Sequence, residues 1–347
     1  MSTIPICSIV PPHIYDHLSN STNVRLREAA RVGLETTARL RGQRDVLELM
    51  PAFNTTPGVK RRTVYDAHNQ QRLPGVVVRG EVSSPSGDIA VDQAYDGAGA
   101  VWDFYKEVFN RDSADDRGMR LDSTVHYASG FDNAFWNGLQ MVYGDGDGII
   151  LHNLTSALEV IGHELTHGVT QNASGLIYSG ESGALNEHIS DVFGVLIKQR
   201  LLNQTAAQAD WLVGASVLVV PNPLPAGGVA RALRDMLNPG TAYANIDIGI
   251  DPQPAHYAQR YLGTADHGGV HINSGIPNKA FAAFAVAVGS NAWDVPGKIW
   301  YKVATASGLP ASATMSQFKA LTLAAAQQIA PNTSDALKAA WAAVGVA

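Results

Sequence analysis

The chain of 347 residues is long enough for two or three compact units, because domains average roughly 150 residues. Its 46% hydrophobic and 16% charged residues are typical of a globular protein and exclude wholesale disorder. A net charge of -6 argues against a nucleic-acid partner, and the single cysteine, Cys7, excludes an internal disulfide or a cysteine-rich zinc site.

The N-terminal residues are the first feature along the chain. They contain no basic start, no long apolar run and no small-residue cleavage site, which are the marks of a secretory signal peptide. We therefore expect no classical signal peptide, and either a cytoplasmic location or export by a non-classical route. The apolar stretches 212–220 and 280–288 are shorter than the roughly 20 residues that cross a bilayer, so no membrane partner is expected.

Residues 23–49 hold the first predicted helix. Apolar residues recur there among six arginines, a pattern typical of an amphipathic helix, and a second short apolar stretch follows. Residues 51–58 mix Pro, Asn, Thr and Gly, which indicates a linker. We place a boundary at this linker, which separates a small N-terminal segment from the rest of the chain.

The next part of the chain, residues 63–148, is predicted to be rich in strands. Short runs of β-prone residues at 75–79 and 123–127 are separated by Gly, Pro and Ser. From residue 155 onward helical patterns dominate, and they end in two alanine-rich stretches, 318–329 and 335–344. This order predicts an α+β fold with a strand-rich N-terminal half and a helical C-terminal half.

The first chemistry-bearing motif is His-Glu-Leu-Thr-His at residues 163–167. On a helix, residues four apart lie on one face, so His163 and His167 are able to present both imidazoles to one cation. Glu164 would then project beside them toward a bound water. This is the spacing of zinc ligands, although a short pattern of this kind also arises by chance.

A second helical stretch supplies further carboxylates. Glu187 offers a third ligand, and two imidazoles with one carboxylate form an established catalytic zinc set that leaves a position for water. Asp191 lies one turn beyond Glu187 on the same face, where it is placed to accept the free N–H of a ligating histidine. Two acids facing the core without a cation would repel each other, so a merely solvated face is the less favoured alternative.

Asp266 and His271 flank a Gly-Gly pair that would let their side chains approach each other. Held by Asp266, His271 would donate a hydrogen bond to an oxyanion or act as acid and base. The alternative is a histidine of the core whose hydrogen bonds are satisfied locally.

Five further segments complete the pattern. They are Asp-Asn-Ala-Phe-Trp-Asn-Gly at 132–138, Met-Val-Tyr-Gly-Asp-Gly-Asp-Gly at 141–148, Gly-Leu-Ile-Tyr at 175–178, Leu-Arg at 233–234 and Gly-Gly-Val-His-Ile-Asn-Ser-Gly at 268–275. With the motif at 163–167 and the Glu187 helix, the sequence resembles the thermolysin family of metallopeptidases from about residue 62 to the C-terminus. The resemblance implies a two-domain thermolysin-like fold with the zinc helix at the cleft.

The resemblance also implies roles for individual residues. It makes His163, His167 and Glu187 the ligands of Zn2+, and it makes Glu164 the general base. The other implied roles are hydrogen-bond donors to the tetrahedral intermediate (Tyr178 and His271), orientation of His271 (Asp266), support of the metal site (Asp191), substrate binding (Asn133, the backbone of Ala134, and Arg234) and an apolar pocket for the residue after the cut bond (Leu151, Val160 and Leu233). The implied reaction is hydrolysis of peptide bonds on the N-terminal side of bulky apolar residues.

The sequence departs from the family at a double calcium site beside the catalytic helices. The corresponding positions read Glu159, Lys198, Asp210, Leu212 and Ala215. A lysine ammonium would neutralise Glu159 or Asp210 where calcium otherwise would. We therefore expect the calcium double site to be absent.

The first residues carry a resemblance of their own. Ser-Ile-Val-Pro-Pro at 8–12, Ile14 and the arginine-bearing helix resemble the short pro-region of protealysin-like precursors, a subgroup of the same family. This resemblance implies a helical, autoinhibitory pro-segment at 1–57. A β-rich catalytic domain with the zinc helix would follow at 58–177, and an α-helical catalytic domain at 178–347. A passive helical extension is the alternative for the N-terminal segment.

The leading hypothesis is a zinc endopeptidase, made as an autoinhibited precursor that is cut within about residues 49–62. Its partners would be polypeptide substrates and its own N-terminal segment. The alternative is a catalytically silent, metallopeptidase-like binding protein held closed by that segment. An aminopeptidase is disfavoured because no acidic residue for a substrate amino terminus is identified. A further hypothesis places the Cys7 thiolate on the open zinc position of the latent form, against the alternative of an incidental buried cysteine.

Overall fold

A computed structural model describes residues 7–47, 56–219 and 228–347. The helices in these ranges are α1 Pro12–Leu18, α2 Val24–Leu47, α3 Ile89–Phe109, α4 Leu158–Asn172, α5 Gly180–Leu201, α6 Ala265–Asn273, α7 Gly275–Val288, α8 Val295–Ala304, α9 Met315–Ile329 and α10 Ser334–Ala343. The strands are β1 Cys7–Ser8, β2 Arg62–Asp66, β3 Val76–Gly80, β4 Leu121–Val125, β5 Ala134–Trp136, β6 Met141–Tyr143, β7 Leu212–Val213, β8 Gly228–Ala230, β9 Arg234–Asp235, β10 Tyr243–Asn245 and β11 Gly249–Ile250. The predicted α+β fold, with a strand-rich N-terminal half and a helical C-terminal half, is confirmed.

The strand-rich half is built on one six-stranded sheet. Its order is β1-β5-β6-β4-β2-β3, with parallel pairing of β2 with β4 and of β4 with β6, and antiparallel pairing elsewhere. The outer edge of β5 is covered by β1, which belongs to the N-terminal segment and pairs Cys7 with Trp136 and Ser8 with Phe135. The sheet therefore places the N-terminal segment along a strand that holds a residue predicted to bind substrate.

Helices α4 and α5 pack closely in the interior. Every residue from 159 to 170 of α4 is buried. A Cβ atom added at Gly194 would lie 2.4 Å from the backbone oxygen of Glu159, and one added at Gly162 would lie 3.0 Å from the Cα of Gly194. Glycine costs about 1 kcal/mol relative to alanine inside a helix. The glycines are retained here because they let the backbones of α4 and α5 approach closely, which brings polar side chains of the two helices together.

The N-terminal segment shares the main hydrophobic core. Helix α1 begins at Pro12, whose fixed φ and missing N–H suit the first turn of a helix. Ile14 and Leu18 of α1 and Ala30 of α2 are buried in the same core cluster as residues of α4 and α5. A helix within 23–49 was predicted and is confirmed. Helix α1 was not predicted, because seven residues are too few for a clear helical period.

The C-terminal helices surround an aromatic core. Trp300 and Trp341 stack with their ring centroids 6.2 Å apart, and Phe318 meets Trp341 edge-on. The two alanine-rich stretches form α9 and α10, as predicted, but the region between α5 and α6 holds strands β7–β11 where helix was expected. Strands of two or three residues leave no readable alternation in the sequence. None of the helices in the described ranges is long and apolar enough to cross a membrane.

Candidate active site

His163, His167 and Glu187 come together where α4 faces α5. One donor atom from each residue lies within 4.8 Å of the other two, and all three side chains are buried. The two imidazole Nε2 atoms are 3.0 Å apart. The Glu187 carboxylate lies 3.4 Å from His163 and 3.5 Å from His167. Two helices thus bring the three predicted ligands to one point.

The second nitrogen of each imidazole is held by a side chain of α5. His163 Nδ1 donates to Asp191 Oδ1 at 2.9 Å, and His167 Nδ1 donates to Asn186 Oδ1 at 2.8 Å. These bonds place a proton on Nδ1 of both rings and leave both Nε2 lone pairs directed at the shared space. Asn186 was missed in the sequence, because a position adjacent to Glu187 gives no spacing signal.

The arrangement of these three side chains is better explained by a bound divalent cation than by hydrogen bonds among the side chains themselves. The two Nε2 atoms lie 3.0 Å apart, and Glu187 Oε2 is buried without a hydrogen-bond partner among the described residues. Burial lowers the pKa of His167 to about 3, so this imidazole stays neutral and available as a ligand. Two imidazoles and one carboxylate are an established donor set for catalytic zinc, and the residues therefore fit Zn2+.

Glu164 lies next to the cluster on α4. Its Oε2 accepts a hydrogen bond from the backbone N–H of Trp136 at 3.0 Å, whereas its buried Oε1 has no hydrogen-bond partner among the described residues. Burial raises the pKa of Glu164 to about 8, although the neighbouring His163 opposes this effect. A carboxyl group that exchanges its proton near neutral pH is suited to act as a general base.

The opposite wall of the cleft carries His271 and Tyr178. Residues 266–269 are four consecutive residues with positive φ, between 52° and 87°, which is a left-handed turn that glycine adopts more easily than other residues. The turn brings Asp266 Oδ1 to 2.6 Å from His271 Nδ1. Burial lowers the pKa of His271, but Asp266 and Glu187 outweigh it and raise the pKa to about 9. His271 Nε2 lies 3.2 Å from the Tyr178 hydroxyl, which donates to Glu187.

Arg234 forms a buried ion pair with Asp191 behind the metal cluster. The guanidinium donates from Nε to Asp191 Oδ2 at 2.9 Å and from Nη2 to Oδ1 at 2.8 Å, a two-pronged arrangement that fixes both groups. Burial opposes ionisation of Asp191, but Arg234 and His163 hold the pKa of this carboxyl below its usual range. Asp191 is therefore a charged anchor that joins a predicted metal ligand to a predicted substrate-binding residue.

Residues 7–10 of the N-terminal segment lie in the cleft between these walls. The Ser8 carbonyl accepts a hydrogen bond from His271 Nε2 at 2.9 Å. The Ile9 carbonyl accepts one from Arg234 Nη1 at 2.9 Å. Both contacts join the backbone of the segment to side chains predicted to act on substrate.

The same stretch of backbone also bonds to β5 and to the residue before it. The Ile9 N–H donates to the carbonyl oxygen of Ala134 at 3.2 Å, and the Val10 N–H donates to Asn133 Oδ1 at 3.0 Å. The segment is thus held on both of its edges, by β5 on one side and by His271 and Arg234 on the other.

Apolar side chains complete the cleft. Ile9 is fully buried in the core cluster that also contains Leu151, Val160 and Leu233, which are the three predicted pocket residues. Cys7 is buried in a small separate cluster with Tyr178 and Val270. An apolar side chain of the segment is therefore shielded from water within the same core that holds the three predicted pocket residues.

Lys198 lies in the region that corresponds to the double calcium site of the family. Its ammonium lies 3.0 Å from Asp210 Oδ1 and 3.5 Å from Glu159 Oε1, and it donates to the carbonyl oxygen of Leu212 at 2.9 Å. One protein cation thus meets two acidic groups and a carbonyl oxygen.

Comparison with family models gives two matches that together span most of the chain. The model described as the catalytic domain of thermolysin metallopeptidases matches residues 50–171. The model described as the alpha-helical domain of thermolysin metallopeptidases matches residues 174–346. The first match ends in the last turn of α4, and the second begins just after this helix.

Relatives of similar length also match. The chain is 44% identical over 349 residues to an "Extracellular metalloprotease" of Pectobacterium carotovorum subsp. carotovorum, covering 100% of this chain and 98% of that protein. It is 40% identical over 345 residues to "Protease PrtS" of Photorhabdus sp. (strain Az29), covering 97% of this chain and 91% of that protein. Among solved structures, the precursor of protealysin, a metalloproteinase from Serratia proteamaculans, is similar with a TM-score of 0.88 and 41% identity, covering 98% of this chain and 100% of that chain.

One expectation from the sequence is wrong. A missing signal-peptide pattern suggested a cytoplasmic location or export by a non-classical route, whereas the relative with 44% identity is named an extracellular metalloprotease. That name points to export. The pattern fails as a guide because the absence of a recognisable signal peptide does not show that a protein stays inside the cell.

Proposed function

This chain belongs to the thermolysin family of zinc metalloproteases, and we propose that it is exported as a precursor inhibited by its own N-terminal segment. The proposed pro-segment is 1–57, and the proposed catalytic domains are 58–177 and 178–347. The observation that carries the proposal is the hydrogen bond of 2.9 Å between the Ser8 carbonyl and His271 inside the cleft.

The contacts of the segment support competition with substrate. Ser8 and Ile9 use backbone carbonyl groups that any peptide possesses. These groups accept hydrogen bonds from His271 and Arg234, to which we assign roles in substrate binding and catalysis. A substrate peptide would need the same donors and acceptors, so it enters only when the segment leaves. The family match favours an enzyme over a catalytically silent binding protein.

We assign His163, His167 and Glu187 as the zinc ligands. When bound there, zinc polarises a peptide carbonyl and lowers the pKa of a water molecule toward neutrality. Glu164 takes a proton from the attacking water on its free oxygen and passes it to the leaving amine. The bond from Trp136 to its other oxygen keeps the carboxylate oriented during this transfer.

The opposite wall stabilises the charge that develops on the carbonyl oxygen. His271 and Tyr178 donate hydrogen bonds to this oxygen as the carbonyl carbon becomes tetrahedral. Asp266 keeps the His271 ring oriented, since it accepts from Nδ1 and leaves Nε2 directed into the cleft. Tyr178 exchanges its present acceptor, Glu187, for the substrate oxygen.

Substrate backbone is held by Asn133, by the carbonyl of Ala134 and by Arg234. These groups accept from, or donate to, the backbone of residues 9 and 10 in the precursor. Asp191 keeps the Arg234 guanidinium in place through two hydrogen bonds. We propose that a peptide substrate takes over these contacts after the segment leaves.

The pocket formed by Leu151, Val160 and Leu233 would select a bulky apolar side chain after the cut bond, because burial of apolar area is favourable and burial of a charge is not. Peptides that differ only at that position test this specificity. Faster hydrolysis with Leu than with Asp is expected, and equal rates would contradict the assignment.

Autoinhibition is tested on the full-length chain by Ile9→Asp, which introduces a charge at a fully buried position of the segment. The intact variant, checked by mass spectrometry, should hydrolyse casein faster than the intact parent, and a zinc chelator should abolish the activity. Val24→Asp is the matched control, because Val24 lies on α2 with 68% of its surface exposed. If neither Ile9→Asp nor removal of the segment increases hydrolysis, the segment is not an inhibitor.

A further inference from the structure

A row of four buried polar side chains runs behind the metal cluster. Trp300 Nε1 donates to His188 Nε2 at 2.7 Å, and His188 Nδ1 lies 2.7 Å from Asn278 Oδ1. Asn278 Nδ2 donates to Asp191 Oδ2 at 2.8 Å. All four side chains are fully buried, so no water competes for these bonds. The row links α8, α5 and α7 to the carboxylate that supports His163.

The direction of every bond in the row follows from Trp300. An indole N–H only donates, so His188 must accept on Nε2 and carry its proton on Nδ1. His188 then donates to the Asn278 carbonyl oxygen, which directs the Asn278 amide N–H toward Asp191. Any other tautomer or amide orientation would set two donors or two acceptors against each other. The row therefore has one hydrogen-bonded arrangement.

Asp191 joins this row to two parts of the site. Its Oδ1 accepts from His163, and both of its oxygens accept from Arg234. Asn278 supplies a second hydrogen bond to Oδ2, beside the one from Arg234. Without it, Oδ2 keeps only the bond from Arg234, and the carboxylate is held less firmly against His163.

We propose that Trp300, His188 and Asn278 are positioning residues that hold Asp191 in the orientation required by His163, so that zinc affinity depends on a tryptophan remote from the metal. The inference rests on the proposed zinc site. The inference predicts that substitution of these three residues weakens metal binding, whereas substitution of an ordinary core residue lowers stability without a specific effect on metal binding. None of the three is assigned to contact substrate.

The test measures zinc affinity of the full-length chain by competition with a chelator. Asn278→Leu removes the last bond of the row and should weaken zinc binding by up to about tenfold, the lower end of the loss that follows removal of a direct partner of a metal ligand. Trp300→Phe keeps an aromatic ring but frees His188 to change tautomer, and should weaken zinc binding by a smaller factor. The visible absorption of the Co2+-substituted variants should shift as His163 reorients.

Phe318→Leu is the matched control. Phe318 is buried with its ring centroid 5.9 Å from that of His188, yet it forms no part of the hydrogen-bonded row. The control should lower the melting temperature while leaving zinc affinity and the Co2+ spectrum unchanged. Unchanged zinc affinity in folded Asn278→Leu or Trp300→Phe, or an equal loss in Phe318→Leu, would overturn the inference. A parent chain that binds no zinc would instead overturn the proposed function.

Discussion

Glu164 has one oxygen bonded to the backbone of Trp136 and one oxygen without a partner among the described residues. Glutamine at this position keeps a carbonyl oxygen for Trp136 but no longer accepts a proton from water. We expect Glu164→Gln to lower casein hydrolysis about 100- to 10,000-fold, the usual contribution of general acid–base catalysis. Zinc content and melting temperature should stay at the parent values. Substantial residual activity in a fully processed variant would show that another group is the base.

His126, which lies outside the metal site, should make the free energy of unfolding depend on pH. The hydrogen bond that His126 donates to Asp145 raises the pKa of His126 from 6.5 to about 9, with a further contribution from Asp88. Because the folded-state pKa lies above the unfolded value, the stabilisation is fully present below pH 6.5 and is lost as the pH rises through about 9.

The free energy of unfolding should therefore fall between these two pH values, and His126→Gln should remove this part of the fall. Urea titrations at several pH values measure the effect. His152→Gln is the control at an exposed histidine and should keep the parent profile. An identical pH profile in His126→Gln and the parent would show that Asp145 does not stabilise the protonated ring.

The contact between α4 and α5 gives a prediction at the level of elements. A Cβ atom at residue 194 would lie 2.4 Å from the backbone oxygen of Glu159, so neither helix is able to accommodate it without moving. We expect Gly194→Ala to reduce the free energy of unfolding by about 1–3 kcal/mol, as overpacking does, and to weaken zinc binding. Gly308→Ala is the control, since a Cβ there meets no atom within 4 Å. Equal stability of the two variants would mean that the helices are free to separate.

The ion pairs of Lys198, near the C-terminal end of α5, give a second prediction about packed elements. Here the lysine ammonium neutralises acidic groups in place of calcium. A calcium-specific chelator should leave the melting temperature unchanged. Lys198→Met should lower the free energy of unfolding by about 1–3 kcal/mol, because Glu159 is left buried without its cationic partner. The exposed Lys298 provides the control Lys298→Met, which should change little. A large drop in melting temperature on chelation would show that calcium is bound.

The elements predicted from sequence were those whose signal is local. Helices α4 and α5 were readable because residues three and four apart share a helix face, and that spacing also brought Asp191 into consideration. Helix α3, with 21 residues, was also missed, in a part of the chain predicted to be rich in strands. Helix α1 and strands β7–β11 were not readable, since each is too short for a period to emerge. Tertiary contacts with larger elements, rather than their own sequences, determine where these short pieces lie.

Parts of the site that depend on distant residues were beyond local pattern. Asn278 reaches Asp191 across 87 positions of sequence, and His271 reaches Ser8 across 263. No spacing rule connects such residues, because their separation in the chain does not determine their distance in the fold. Residues 48–55, which include half of the expected cleavage region at 49–62, lie outside the described ranges.

At the scale of the whole molecule, the N-terminal segment contributes to the core as well as to the cleft. Ile9, Ile14 and Leu18 are each at most 2% exposed. Burial of each such side chain is worth about 1.5–3 kcal/mol, so release of the segment should lower the melting temperature of the remaining enzyme. Calorimetry of the unprocessed Glu164→Gln chain and of the processed enzyme measures this difference. A processed enzyme that melts at the same or a higher temperature would mean that the segment packs only loosely.

The pairing of β1 with β5 has a consequence for which proteins are able to serve as substrates. The segment binds through main-chain groups, so any chain that takes its place must arrive extended, with several consecutive amides and carbonyls free. Helices and interior strands have already committed these groups to their own neighbours. We therefore expect a tightly folded protein to resist hydrolysis whatever its side chains, and termini, surface loops and unfolded chains to be cut. Local unfolding of the substrate protein, more than its amino-acid sequence, should then determine the rate at which it is hydrolysed.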